Sequence, residues 1–143
     1  MNLPKLPLGV PLMDRDHAVL EHMFSTLPQT RDAELLPLFE AIAQEICDHF
    51  SREEIMMERE QVPILSCHKA QHAALLREVE TMRAYLATAD ARVQRHQIGF
   101  VLAHLVANHV GGVDQVTSTF LTNRSAKSPP ESDCAPQSAC MAS

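Results

Sequence analysis

Apolar residues recur every three or four positions through four stretches of this chain, and proline-bearing corners separate most of them. The first stretch runs from about Asp14 to Leu27, with Met13, Leu20, Phe24 and Leu27 on one stripe, and Pro28 stops it. The second runs from about Asp32 to Glu60 and carries Leu35, Phe39, Ile42, Ile46, Met56 and Met57. Pro37 is tolerated there because few backbone N–H groups near a helix start have partners within the helix. Val62-Pro63 makes a corner. The third stretch, about Ile64 to Ala87, repeats Leu65, Leu75, Val79, Met82 and Leu86, and the fourth, about Ala91 to Val110, repeats Ile98, Leu102 and Leu105. Four amphipathic helices joined by short corners predict an all-α, antiparallel up-down-up-down four-helix bundle. Pro4, Pro7 and Pro11 make residues 1–12 read as an extended N-terminal arm. Residues 125–143 are rich in Ser, Pro and Ala without an apolar period, which predicts a flexible C-terminal tail after a bundle domain spanning 1–124.

Seven polar residues break this pattern: His17, His49, Glu53, His68, His72, His109 and Asp114. Five are histidines. His49 and Glu53 are four apart, as are His68 and His72, and at about 100° per residue such pairs share one helix face. A lone histidine on an apolar stripe is usually a satisfied core residue. Five imidazoles and two carboxylates turned inward would be costly without a positive partner. Neutral imidazole with carboxylate suits iron, manganese or zinc, and bridging carboxylates suit two ions held close together. His109 and Asp114 are five apart, about 140° in a continuous α-helix, so Gly111-Gly112 is expected to end the helix between them. The Glu-x-x-His motifs of ferritin-like bundles and the His-Glu-x-x-His of zincins are both absent.

Other residues are expected to stand outside this cluster. His22 and His104 lie about 140° off the inward direction, and Glu54 is rotated away from Glu53. His96 lies in a polar stretch, and Met56, Met57 and Met82 read as core filler. The four cysteines lack CxxC spacing and do not read as a disulfide framework, and Cys67 points about 100° away from His68. At 143 residues, 45% of them apolar, the chain has the length of one globular domain. Its net charge of −6 argues against nucleic acid or an anionic membrane as partner. No apolar run approaches the roughly 18 residues of a membrane span, and the proline-broken N-terminus makes a poor signal peptide, so a cytoplasmic location is expected.

Four segments give the chain a resemblance to the hemerythrins, and to single-domain bacterial members in particular. They are Gly9-Val-Pro-Leu-Met-Asp-Arg-Asp-His17, His49-Phe-Ser-Arg-Glu53-Glu54, His68-Lys-Ala-Gln-His72 and Asn108-His109-Val-Gly-Gly-Val-Asp114. The resemblance spans about residues 8 to 121 and fills all seven ligand positions of the family in order. Ending in His-x4-Asp, it favours the oxygen-binding branch. It implies a non-haem di-iron centre, two Fe2+/Fe3+ ions with a bridging oxo or hydroxo group. His68, His72 and His109 would bind one iron, His17 and His49 the other, and Glu53 and Asp114 would bridge them. Leu20, Phe50, Leu105, Val106 and Val110 would line an oxygen pocket. The implied function is reversible dioxygen binding for storage, delivery or sensing, without catalytic turnover, with azide, nitric oxide and peroxide as further small ligands. The alternatives are a di-iron enzyme reducing peroxide or nitric oxide, and a regulatory module acting on a separate protein partner. The family commonly carries Trp where Leu105 stands and a bulkier aliphatic where Val106 stands. That departure predicts a roomier pocket, quick autoxidation and ready azide binding.

Overall fold

Pro11 occupies the first position of helix α1 (Pro11–Ser25), where its fixed φ suits the helix and its missing N–H is not needed. The proline expected to keep the arm extended therefore starts the helix instead. In the computed structural model, which describes residues 7–123, the non-helical arm reduces to residues 7–10. The remainder of the arm and the tail expected at 125–143 lie outside the described residues. Backbone N–H groups of Leu8 and Gly9 donate to the two carboxylate oxygens of Asp14 at 2.7 and 3.1 Å, which ties the arm to the helix start.

Two short 3₁₀ turns, Leu27–Gln29 and Asp32–Glu34, lead into α2 (Leu35–Arg59). Helix α3 is Leu65–Leu86, and α4 occupies residues 91–122 behind an Asp90 side chain that accepts from Val93 N at 2.9 Å. Helix α1 packs on α2, α2 on α3 and α3 on α4. Short links between neighbours make the four run antiparallel. The protein is an all-α four-helix bundle, with no strand among the described residues. None of its described helices is long and apolar enough to cross a membrane.

The expected stop at Gly111-Gly112 is not there. Residues Val110–Asp114 form a π-helical turn inside α4, and the helix continues through Gln115–Thr122. Both flanks keep helical dihedrals, φ −63° at Val110 and −61° at Gln115. A π turn bonds i to i+5, so residues five apart come onto one face without a break. This places His109 and Asp114 together by a different device from the one their spacing suggested. A second π turn, Gln97–Leu102, lies earlier in α4. There Gly99 lets α4 close on α1's exit, since a Cβ at Gly99 would stand 2.6 Å from Leu27 Cδ2.

The interior is layered along the bundle. One end is apolar, built on Leu35, Phe39, Met82, Leu86 and Ile98. The seven polar residues form the next layer, and a smaller cluster of Val10, Met13 and Met56 closes the far end.

Gly111 is exposed, and a Cβ there would meet nothing within 4 Å. Glycine inside a helix costs about 1 kcal/mol relative to alanine. Gly111→Ala should therefore raise stability by up to ~1 kcal/mol in denaturant titration, with metal content unchanged. A clear destabilisation would mean that the helix breaks at this point after all.

Candidate metal centre

Each helix contributes to the polar layer. Helix α1 supplies His17, α2 supplies His49 and Glu53, α3 supplies His68 and His72, and α4 supplies His109 and Asp114. All seven are buried, and Glu53 and Asp114 are at 0% exposure. Their donor atoms fall into two sets that share both carboxylates. Glu53, His68, His72, His109 and Asp114 form one set, and His17, His49, Glu53 and Asp114 form the other, with donor atoms in each within 4.8 Å of one another.

The carboxylates divide their oxygens between these sets. Glu53 turns Oε2 to His49 Nε2 at 2.8 Å and Oε1 to His68 Nε2 at 2.8 Å. Asp114 turns Oδ2 to His17 Nε2 at 3.0 Å, and Oδ1 to His68 Nε2 at 2.9 Å and His109 Nε2 at 3.0 Å. Most of these atoms are close without being hydrogen-bonded. The Nε2 atoms of His49, His68, His72 and His109, both Glu53 oxygens and Asp114 Oδ1 are buried with no hydrogen-bond partner. Buried polar atoms are rarely left so. Their orientation fits lone pairs converging on a cation, so the residues present suit a metal with imidazole and carboxylate ligands.

The outer ring nitrogens are held by groups that the sequence pattern did not single out for this role. His49 Nδ1 lies 2.9 Å from Asp16 Oδ2, His68 Nδ1 lies 2.6 Å from Thr117 Oγ1, and His72 Nδ1 lies 2.8 Å from Glu54 Oε1. An N–H donated outward fixes the tautomer that leaves Nε2 free to bind metal. Glu54 therefore does more than sit on the surface, as its rotation from Glu53 suggested. Thr117 follows Asp114 by three residues and could have been found on that spacing; nothing local ties Asp16 to His49, 33 residues away. Phe50 stacks flat on His72, with ring centroids 3.7 Å apart at 9°, and holds that imidazole in place.

Beside the centre lies a cavity of about 10 Å³, lined by His17, His49 and His109 and by Leu20, Ile46, Phe50, Leu75, Val106 and Val110. That is about the room one water-sized molecule needs. Four of the five expected pocket residues are on its wall. Leu105 is not: it is half-buried against the core, beside Val106 in sequence. Ile46 and Leu75 take part instead.

His22 and His96 are exposed, and His104 turns Nδ1 to Phe100 O at 2.7 Å. None of the three belongs to the donor sets, nor does Cys67. Cys67 is disulfide-bonded.

The profile of the hemerythrin HHE cation binding domain matches residues 8–119. The chain belongs to the hemerythrin family. It is also similar to a bacteriohemerythrin of Ralstonia nicotianae, 26% identical over 119 residues that cover 83% of this chain and 86% of that one. No solved structure gives a significant match.

In this hemerythrin domain the buried imidazoles and carboxylates shift one another's affinity for protons. Burial disfavours charge on His68, yet the carboxylates of Asp114 and Glu53 outweigh it and push its pKa up to about 9. Burial likewise opposes a charged His49, and Glu53 and Asp16 prevail, raising it. His72 moves the other way: burial, with like charge on His68 and His109, drives it down to about 2. Burial also works against ionised Asp114, but His109, His17 and His68 around it hold its carboxyl well below the usual range.

A raised histidine stabilises the fold fully below its unfolded value of 6.5, and that contribution is lost as pH rises through about 9. A lowered histidine costs stability below 6.5, where the unfolded chain takes the proton that buried His72 refuses. Stability held by Asp114 is present above the ordinary value of 3.8 and is lost as pH falls through its lowered range. The metal-free protein should therefore melt highest near pH 6.5 and lower on both sides, as read by thermal melts in chelator. A melting temperature that climbs steadily to pH 9 would contradict this proton arrangement.

Proposed function

We propose that the site holds two iron ions bridged by Glu53 and Asp114 and binds dioxygen reversibly. The observation that supports this most is the pairing of unequal donor sets with the cavity. The set of His17 and His49 with the two carboxylates offers four residues, against five in the other. His17 and His49 both line the cavity, with His109 of the other set, so a small molecule there stands against two residues of the four-residue set and one of the five-residue set. Leu20, Ile46, Leu75 and Val106 present hydrocarbon to that space, and its size suits one very small molecule, about that of a water. Iron in both positions would supply one electron each toward two-electron reduction of dioxygen, chemistry that zinc, with no redox states, lacks. The protein's own part is to hold the imidazoles and carboxylates in place, keep Nε2 free of protons by engaging Nδ1, and line the cavity with hydrocarbon.

The optical spectrum of aerobically purified protein tests this. Oxo-bridged di-iron charge-transfer bands should bleach on anaerobic reduction and return in an oxygenated form in air, over repeated cycles. Steady consumption of peroxide or nitric oxide with a reductant, and no recoverable oxygenated form, would favour a di-iron enzyme instead. A zinc-filled site after growth in iron-replete medium would defeat both.

The cavity wall gives a second prediction. Val106→Leu adds a methylene to a cavity of about 10 Å³ and should slow azide binding to the diferric form about tenfold, roughly 1.4 kcal/mol, within the usual cost of overpacking. Leu105→Trp, off the wall, should leave the rate near wild type in stopped-flow mixing. The reverse ranking would place the ligand route past Leu105.

A further inference from the structure

One buried charge is used by neither donor set. Asp16 on α1 is 2% exposed, beside His17 in sequence. Its Oδ2 accepts from His49 Nδ1 at 2.9 Å and from Arg52 Nε at 2.9 Å. Arg52 is itself steadied from outside, donating from Nη2 to Glu45 Oε1 at 2.8 Å, and Arg15 Nε stands 3.7 Å from Asp16 Oδ1. Glu45 and Arg52 reach the surface, with side chains 22% and 37% exposed.

We propose that Asp16 is a positioning residue that aims His49 at its metal and makes the four-donor position the more electron-rich of the two. The proposal rests on the two-metal reading of the site. An aspartate–arginine pair alone has no need of burial, since taking charges out of water costs more than a surface pair would. Here one oxygen is shared between the guanidinium and the outer nitrogen of a ligand histidine. The three orienting partners differ in kind. His68 leans on a neutral hydroxyl, Thr117. His72 leans on Glu54, whose side chain is 30% exposed, so water screens its charge. His49 alone among these three leans on a fully buried carboxylate, held in one orientation by Arg52. A buried anion at Nδ1 makes Nε2 a stronger donor, and loss of such a partner typically weakens metal binding 10–100-fold. The two halves of the centre are thus tuned apart by residues outside both donor sets, and the half with fewer protein ligands receives the strongest support.

The test uses the whole chain loaded anaerobically with Co(II), which needs no oxygen chemistry. Two binding steps are followed by d–d absorption and by competition with a chelator. Asp16→Asn keeps the size and an acceptor oxygen but removes the charge. It should weaken one step about 10–100-fold and leave the other nearly unchanged. Thr117→Val should weaken the opposite step. Asp16→Asn should also lower the metal-free melting temperature, because it breaks the buried pair with Arg52, so the unequal shift of the two binding steps is the readout that a merely structural ion pair would not give. In the iron-loaded protein the same variant should raise the midpoint potential. Arg52→Gln, which loosens Asp16 without touching His49, should move the same step by a smaller factor and serves if Asp16→Asn does not fold. Two ions bound with both steps shifted alike, or with neither shifted, overturns the proposal alone. A wild type that takes up a single ion overturns the two-metal reading and this proposal with it.

Discussion

Two carboxylates with no solvent exposure, Glu53 and Asp114, stand at the centre of this bundle, and the rest of the structure answers to them. Burying an ionised carboxylate costs several kcal/mol even after the protein relaxes. The cost is met only if every lone pair faces positive charge or a donor. Each of these carboxylates splits its oxygens between two groups of imidazoles, one group on either side. That division requires ligands from four directions, and a four-helix bundle supplies them with one inward stripe per helix. The outward hydrogen bonds of His49, His68 and His72 follow from the same demand, because a ring that must point Nε2 inward needs its Nδ1 occupied. So does the layering: an apolar core below the site and the small cluster of Val10, Met13 and Met56 beyond it keep water from competing for the same lone pairs.

The fourth helix shows how strictly the geometry is met. Regular α-helical winding would separate His109 and Asp114, yet both reach the same layer, with His109 Nε2 3.0 Å from Asp114 Oδ1. The π turn at Val110–Asp114 achieves this by widening one turn. A wide turn satisfies its backbone groups less economically than an α turn, and it persists where surrounding contacts fix it. Those contacts are the buried side chains of His109, Val110 and Asp114 themselves.

Much of this was legible in the sequence. Apolar periodicity outlined the four helices, and polar residues intruding on those stripes marked the site, because burial of such groups needs an explanation that hydrophobic packing does not give. What the sequence concealed was geometry with no periodic signature. Gly111-Gly112 looked like a helix end because glycine usually is one, and a π turn leaves no distinct pattern. Pro11 looked like an interruption, although the same residue serves at a helix start. Asp16 escaped notice because its partners, His49 and Arg52, are brought to it by the packing of α1 on α2. Leu105 was expected on the cavity wall by family resemblance alone; it is half-buried against the core and is not among the residues that line the cavity.

The account stands or falls on a pair of ions sharing Glu53 and Asp114. Mössbauer spectroscopy of the protein loaded with iron-57 and oxidised addresses that pairing most directly. Two ferric environments in equal amounts, coupled to a diamagnetic ground state, are the predicted result. A magnetically isolated ferric signal would show that the carboxylates do not bridge.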